Sequence, residues 1–186
     1  MAQEITEFCV ADVAAWRAWL DGHEDASDGV WLILAKKGTT EPTSLNYAQA
    51  LDEALCSGWI DGQKRSRDQA TFLQRFTPRR ARSMWSARNV EHIARLEAEG
   101  RMRPRGWQMV EAAKADGRWD RAYAGSADAV VPDDLAAALA ADPALGERFE
   151  ALTRAQRFSV LAPLMTAATP ETRARRLAKA LAGLKG

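Results

Sequence analysis

From Pro78 onward the chain shows only helical periodicity, whereas the residues before it combine helical patterns with short runs typical of strands. Val30–Ala35 is an unbroken apolar run, which favours a strand that is buried on both faces. Residues 59–64 and 70–77 follow as two further strand-like segments joined by a polar turn, and they predict a hairpin. The sequence therefore predicts an α+β fold, with a small and mainly antiparallel sheet followed by an all-helical module.

A loss of periodicity separates the two parts of the chain. Residues 118–131 have no clear helical or strand pattern, which is typical of a connector. Beyond it, Pro132 and Pro143 each stand where a short helix is expected to begin. We therefore expect three segments, namely an α+β domain over 1–117, a connector over 118–131 and a helical C-terminal module over 132–186.

Capping residues and glycines predict where individual elements begin and end. Asp12 precedes an apolar stripe and predicts a helix over residues 12–22. A second helix is expected from Ser44 to Ser57, with Gly58 as its C-terminal stop. Gly62 lies inside the strand that follows, where it permits a bulge.

Several protein classes are excluded by what the sequence lacks. No stretch approaches the roughly 18 consecutive apolar residues that a membrane-spanning helix needs. Residues Met1–Phe8 have no basic region followed by an apolar run, so we expect no secretory signal and a cytoplasmic location. Cys9 and Cys56 are too few for a disulfide framework and lack metal-ligand spacing.

Motifs for cofactors and metals are also missing. The sequence contains no G-x-G-x-x-G, Walker A, H-E-x-x-H or G-x-S-x-G pattern. His23, Glu24 and Asp25 are metal-ligating types, but their spacing fits neither a zinc finger nor a calcium loop. We therefore expect no cofactor and no metal ion.

Charge is segregated along the chain, although the formal net charge is +1. Residues 1–63 hold 3 basic and 11 acidic side chains, whereas residues 64–107 hold 12 basic and 4 acidic ones. One interpretation is that the acidic first third packs beside the basic middle segment, so that the charges offset each other. The other is that the basic segment carries an anion-binding face.

The residues between Trp59 and Asn89 hold the densest polar chemistry of the chain. Arginines before the helix that begins near Ser86 favour an anion, because a helix start offers free backbone N–H groups and guanidinium forks suit carboxylate or phosphate. We expect an anionic small molecule or an acidic protein surface as the partner. The predicted ligand-binding residues are Trp59, Asp61, Lys64, Gln74, Arg75, Arg79, Arg80, Trp85, Ser86 and Asn89.

Two other functions stay open beside anion binding. Asp61 lies in an apolar stretch, and an enzyme could use it as acid or base with Lys64 or Arg79 stabilising negative charge. A structural ion pair explains Asp61 equally well. The aromatic and arginine residues that alternate from Phe72 to Trp85 are typical of a nucleic-acid surface, but the low net charge makes nucleic acid the less favoured partner.

Several runs of residues are similar to the YdeI/OmpD-associated family, whose members are also called bacteriocin-protection proteins. The resemblance spans nearly the whole chain. It is carried by Ser57–Lys64, Leu73–Arg80, Ser83–Ser86, Asn89, Gly100–Pro104 and Pro170–Arg176.

The resemblance implies a role in stress protection, specifically in resistance to cationic antimicrobial peptides, and an association with an outer-membrane porin. It also implies an N-terminal fold near the frataxin-like and YjbR-like α+β folds. It carries no catalytic residues onto this chain. The family's periplasmic label conflicts with the expected cytoplasmic location.

Overall fold

The computed structural model describes residues 6–125 and 128–185. The outer limits of the predicted domains and residues 126–127 of the predicted connector lie outside the described residues. The first part of the chain holds β1 (Glu7–Phe8), α1 (Val13–His23), β2 (Val30–Ala35), α2 (Tyr47–Cys56), β3 (Trp59–Ser66), β4 (Thr71–Pro78), α3 (Ala87–Ala98) and α4 (Pro104–Ala115). The C-terminal part holds α5 (Asp133–Ala141), α6 (Pro143–Ala151), α7 (Arg154–Met165) and α8 (Pro170–Lys185). The predicted α+β class and the helical C-terminal part are confirmed.

The chain divides into two compact units. The first runs to Ser83 and also contains Glu91–Asp116, so it holds the whole sheet. The second contains Met84–Val90 and the chain from Gly117 onward.

The four strands form one sheet in the order β1-β2-β4-β3. β3 and β4 pair antiparallel, as the predicted hairpin requires, and β4 also pairs antiparallel with β2. β1, which the sequence analysis did not predict, pairs parallel with β2 through Glu7 and Phe8. Between Asp61 and Lys64 the register of β3 shifts by one residue against β4, which is the bulge that Gly62 permits.

An aromatic core joins α1 to one face of this sheet. The carboxylate of Asp12 accepts a hydrogen bond from the backbone N–H of Ala15 and caps α1 as predicted. Trp16 and Leu20 are fully buried on α1, and the Trp16 ring lies 5.7 Å from that of Phe76 and 6.4 Å from that of Trp59. Burial of each such side chain contributes roughly 1.5–3 kcal/mol and fixes the helix against the strands.

α2 begins at Tyr47, three residues after the predicted start at Ser44, because Asn46 caps it. The Asn46 side chain accepts from the backbone N–H of Gln49, and the Gln49 side chain accepts from that of Asn46, which is a complete capping box. Gly58 ends the helix with a φ of 68°, as expected of its C-terminal stop.

The second unit has its own apolar core, built from helices. Buried Leu135, Leu145, Phe149, Leu161, Leu164 and Leu184 form it. The guanidinium of Arg173 on α8 donates to both carboxylate oxygens of Asp134 on α5, at 2.8 and 2.7 Å. These bonds hold the pKa of Asp134 below its usual range.

Candidate functional site

A groove of about 1320 Å³ lies on the sheet face that is turned away from Trp16. Phe76 and Trp59 point toward α1, and successive strand residues point to opposite faces. Arg75 and Thr77 therefore lie on the other face, where they line the groove. Its polar and aromatic lining residues are Thr6, Glu7, Phe8, Asp28, Trp31, Gln63, Arg65, Arg75, Thr77, Arg79 and Arg80.

Arginine side chains dominate the charge of the groove. Arg75 lies opposite Trp31 in the register of β2 and β4, and the Arg65 guanidinium lies 4.5 Å from the centre of the Trp31 ring. Arg79 is 6% exposed, and its backbone N–H donates to the carbonyl of Gly58 at 3.0 Å. Arg80 is exposed at the mouth. Planar guanidinium groups in this arrangement suit carboxylate or phosphate oxygens.

Two carboxylates line the same groove and offset part of this positive charge. Glu7 already accepts a hydrogen bond from Arg67 at 2.8 Å. Its charge is therefore paired with an arginine that does not line the groove. Asp28 is exposed, and its main-chain oxygen lies 3.5 Å from Nη2 of Arg75. The groove therefore keeps an excess of positive charge.

Gly29 allows the turn before β2 to lie close against β4. A Cβ at this position would lie 2.5 Å from the carbonyl oxygen of Phe76 and 2.7 Å from Cγ2 of Thr77. Its φ of 122° also disfavours any side chain. The close approach places the Asp28 carbonyl within reach of Arg75.

The structure brings part of the predicted site together and separates the rest. Arg75, Arg79 and Arg80 share the groove. Trp59 is fully buried toward α1, and its indole N–H donates to the carbonyl of Glu24 at 3.1 Å. It therefore packs in the core and does not form a wall of the groove.

Asp61, Lys64 and Gln74 point away from the groove, because they share the sheet face of Phe76. The hydroxyl of Tyr47 donates to Oδ2 of half-buried Asp61 at 2.8 Å. Nζ of Lys64 lies 4.3 Å from the centre of the Phe72 ring.

Gln74 has a structural role in the sheet. It is 3% exposed, and its amide Nε2 donates to the carbonyls of Gly62 and Gln63 at 2.9 and 3.3 Å. These bonds satisfy backbone groups that the bulge in β3 removes from the regular ladder.

Trp85, Ser86 and Asn89 belong to the second unit. The Ser86 hydroxyl accepts from the backbone N–H of Asn89 at 3.2 Å, as expected of a residue just before α3. Trp85 is buried, and its ring lies edge-on to that of Trp119 with centroids 5.0 Å apart. Tyr123, from the predicted connector, forms an isolated bridge with Ser86.

Sequence reasoning missed Trp31, Arg65, Gln63 and Thr77 as lining residues. Trp31 lies in a continuous apolar run, which masks the alternation that would have separated the two faces of β2. The pairing of β2 with β4 places Trp31 opposite Arg75, and this pairing between distant strands cannot be read from the sequence.

A second polar cluster in the first unit is centred on a buried carboxylate and is internally paired. Glu53 is 5% exposed, and its two carboxylate oxygens accept from Arg101 and Arg103, each at 2.8 Å. Arg103 also donates to the hydroxyl of Ser57 at 2.7 Å. Beside them, burial raises the pKa of the Cys56 thiol to about 11, and the charge of Glu53 adds to the rise. This thiol stays protonated at neutral pH, which disfavours a nucleophilic role.

Within residues 6–125 and 128–185, no three or more His, Cys, Asp or Glu side chains are arranged to hold a metal ion. Over that same part of the chain, no helix has the length and apolar character required to cross a membrane.

Two family models match the sequence. Residues 8–109 match the model described as "Domain of unknown function (DUF8412)". The chain belongs to the DUF8412 family. Residues 128–186 match the model described as "Bacteriocin-protection, YdeI or OmpD-Associated". Neither a search of curated proteins nor a search of solved structures finds a match to the chain.

The predicted YdeI/OmpD-associated resemblance is confirmed over the C-terminal part, which contains the run Pro170–Arg176. It does not extend over nearly the whole chain as expected. The runs Ser57–Lys64, Leu73–Arg80 and Gly100–Pro104 lie within the DUF8412 domain, and so does the entire groove except Thr6 and Glu7. The implied kinship with frataxin-like and YjbR-like folds stays a prediction.

Proposed function

We propose that this protein, whose C-terminal part matches the bacteriocin-protection model, acts by binding an anionic ligand, or an acidic partner surface, in the groove of its DUF8412 domain. The observation that carries the proposal is the placement of Arg65 and Arg75 around Trp31 on one sheet face. Arg79 and Arg80 lie at the same groove. Arg65, Arg75 and Arg80 therefore bring guanidinium groups from β3, β4 and the segment after β4 to one bound anion.

The surroundings of these arginines support binding of an anion. Trp31 is 9% exposed and packs with Ile33 and Leu73, so the groove has an apolar floor. An ion pair beside apolar surface is screened less by water than one on an open exterior. Gln63 and Thr77 add uncharged polar groups that can orient the ligand. Asp61 takes no part, because it lies on the opposite sheet face.

The first test removes two groove arginines that are exposed. We expect the double variant R65A/R80A to lose the rise in melting temperature that citrate, pyrophosphate or poly-glutamate produces in the wild-type protein. Each guanidinium contact with an anion is worth a factor of about ten in affinity, so the dissociation constant should weaken about a hundredfold. Thermal unfolding and titration calorimetry measure the two quantities.

The matched control is R17A/K37A, which removes the same charge from exposed positions of the first unit outside the groove. It should keep the wild-type response to all three probes. Equal stabilisation of the wild type and both double variants would place anion binding elsewhere. Absence of stabilisation in the wild type itself would contradict the proposal.

The Arg65 guanidinium beside the Trp31 ring favours a second candidate function, the binding of single-stranded nucleic acid. An aromatic ring on a sheet face with nearby arginines is a common platform for stacking a base. In this case oligo(dT) affinity should fall steeply with added salt, and R65A/R80A should reduce the slope of log K against log salt by about two. Fluorescence anisotropy measures the affinity for oligo(dT) at each salt concentration. Weak binding that does not depend on salt would reject this candidate.

A further inference from the structure

The second unit carries another groove, which is chemically different from the first. Its volume is about 910 Å³, and residues of α7 and α8 form most of its lining. Phe158, Val160 and Leu184 make much of it apolar. Neither family description assigns a ligand to this part of the protein.

The groove is polar at one end and apolar at the other. Arg176, Ala180 and Leu184 lie four residues apart on α8, so they share one side of that helix. The helix rises 1.5 Å per residue, which separates Arg176 from Leu184 by about 12 Å. The lining therefore changes from cationic to apolar along α8.

The cationic end is built to receive an anion. Arg176 is held in place, since its Nη1 donates to the carbonyl of Pro163 at 2.6 Å and to the hydroxyl of Thr166 at 3.1 Å. Lys179 lies one turn further along, and it has no carboxylate partner within the described part of the chain. The described residues that line the groove include no Asp or Glu. A carboxylate from outside would meet two cations here without like-charge repulsion.

We propose that this groove binds an anionic amphiphile with a single acyl chain, such as a long-chain fatty carboxylate. The carboxylate would lie at Lys179 and Arg176, and the chain would extend along Phe158 and Val160 toward Leu184. The restriction of positive charge to one end favours such a ligand over an acidic peptide, whose charges recur along its length. The proposal stands on the second unit alone and is independent of the anion groove in the DUF8412 domain.

Gly183 offers a way to fill the groove without disturbing the fold. It lines the groove on α8, and a Cβ at this position would meet no heavy atom within 4 Å. Leucine in its place projects into the groove and is also a better helix former than glycine. Gly22 on α1 is the matched control, since it is also a helical glycine whose Cβ would meet nothing within 4 Å.

The test measures binding of laurate to the full-length protein by titration calorimetry. Laurate should bind more than tenfold tighter than octanoate, because each methylene buried strengthens binding about fourfold. The G183L variant should weaken laurate binding at least tenfold, and G22L should leave it unchanged. The K179A variant should weaken binding of laurate several-fold while leaving that of dodecanol, which has no charge, unaffected.

Two results would each overturn the proposal. The first is absence of laurate binding, or equal affinity for laurate and octanoate. The second is equal affinity of wild type and G183L for laurate. If G183L then also changes the oligomeric state seen by sedimentation, this face is a contact between copies of the chain.

Discussion

Replacement of Gly106 by alanine is expected to lower the free energy of unfolding of the first unit by about 3 kcal/mol. A Cβ on Gly106 would lie 2.2 Å from the carbonyl oxygen of Cys56 and 2.9 Å from its carbonyl carbon. Both atoms belong to the backbone at the end of α2, so rotation of a side chain cannot relieve the clash. The same Cys56 oxygen accepts from the backbone N–H of Arg103 at 3.1 Å, and a displaced α4 would weaken this bond.

Urea-induced unfolding followed by far-UV circular dichroism measures the loss of stability in the G106A variant. The control is G22A, in which alanine replaces a helical glycine with open space around it. This change should stabilise the protein by about 0.5–1 kcal/mol through helix propensity alone. If G106A lowers the free energy of unfolding and G22A raises it, the close contact between α2 and α4 explains the loss in G106A. A G106A variant as stable as the wild type would contradict the close packing of these helices.

Local signals in the sequence predicted most elements of secondary structure. Asp12 before α1 and Gly58 after α2 each act through hydrogen bonds or backbone angles within a few residues. Such signals do not depend on the rest of the fold. The start of α2 was harder to predict, because Ser44 and Asn46 are both good N-cap residues. Asn46 is the N-cap in the structure, since Gln49 completes a capping box with it.

The candidate groove could not be predicted in the same way, because it depends on pairing between distant strands. Arg65 and Trp31 meet only because β4 lies between β2 and β3. The bulge between Asp61 and Lys64 adds a further obstacle. It places these residues on the same face although they are three apart, and simple alternation puts them on opposite faces.

The segregation of charge along the sequence has two structural outcomes. Arginines from the later part of the basic segment pair with the acidic first third, as Arg101 and Arg103 do with Glu53. Arginines from its earlier part, such as Arg65 and Arg75, line the groove. Pairing between the acidic and basic segments is therefore confirmed for Arg101 and Arg103, whereas anion binding by Arg65 and Arg75 stays a proposal. Arg67 lies between Arg65 and Arg75 in the sequence and still pairs with Glu7, so position along the basic segment does not predict which role an arginine takes.

The paired arginines lead to a second large effect. Replacement of Glu53 by alanine is expected to cost about 3 kcal/mol, because it removes the buried carboxylate that Arg101 and Arg103 share. The value lies at the low end for a broken buried pair, since Arg103 keeps Asp21 and Arg101 keeps Glu99 as partners. The Arg103 side chain is 11% exposed and that of Glu53 is 6% exposed, so water cannot replace the lost partner fully. Loss of the Glu53 side chain also leaves a cavity beside Cys56.

The matched control is E99A, which removes another carboxylate that contacts Arg101, at 2.9 Å. The Glu99 side chain is 40% exposed, so solvent screens this pair and the variant should unfold close to the wild-type urea midpoint. Both variants remove one negative charge, and a difference between them therefore reports burial and not net charge. If E53A unfolds at the same urea concentration as E99A, the cluster is solvated in solution and does not hold α2 to the residues around Arg101 and Arg103.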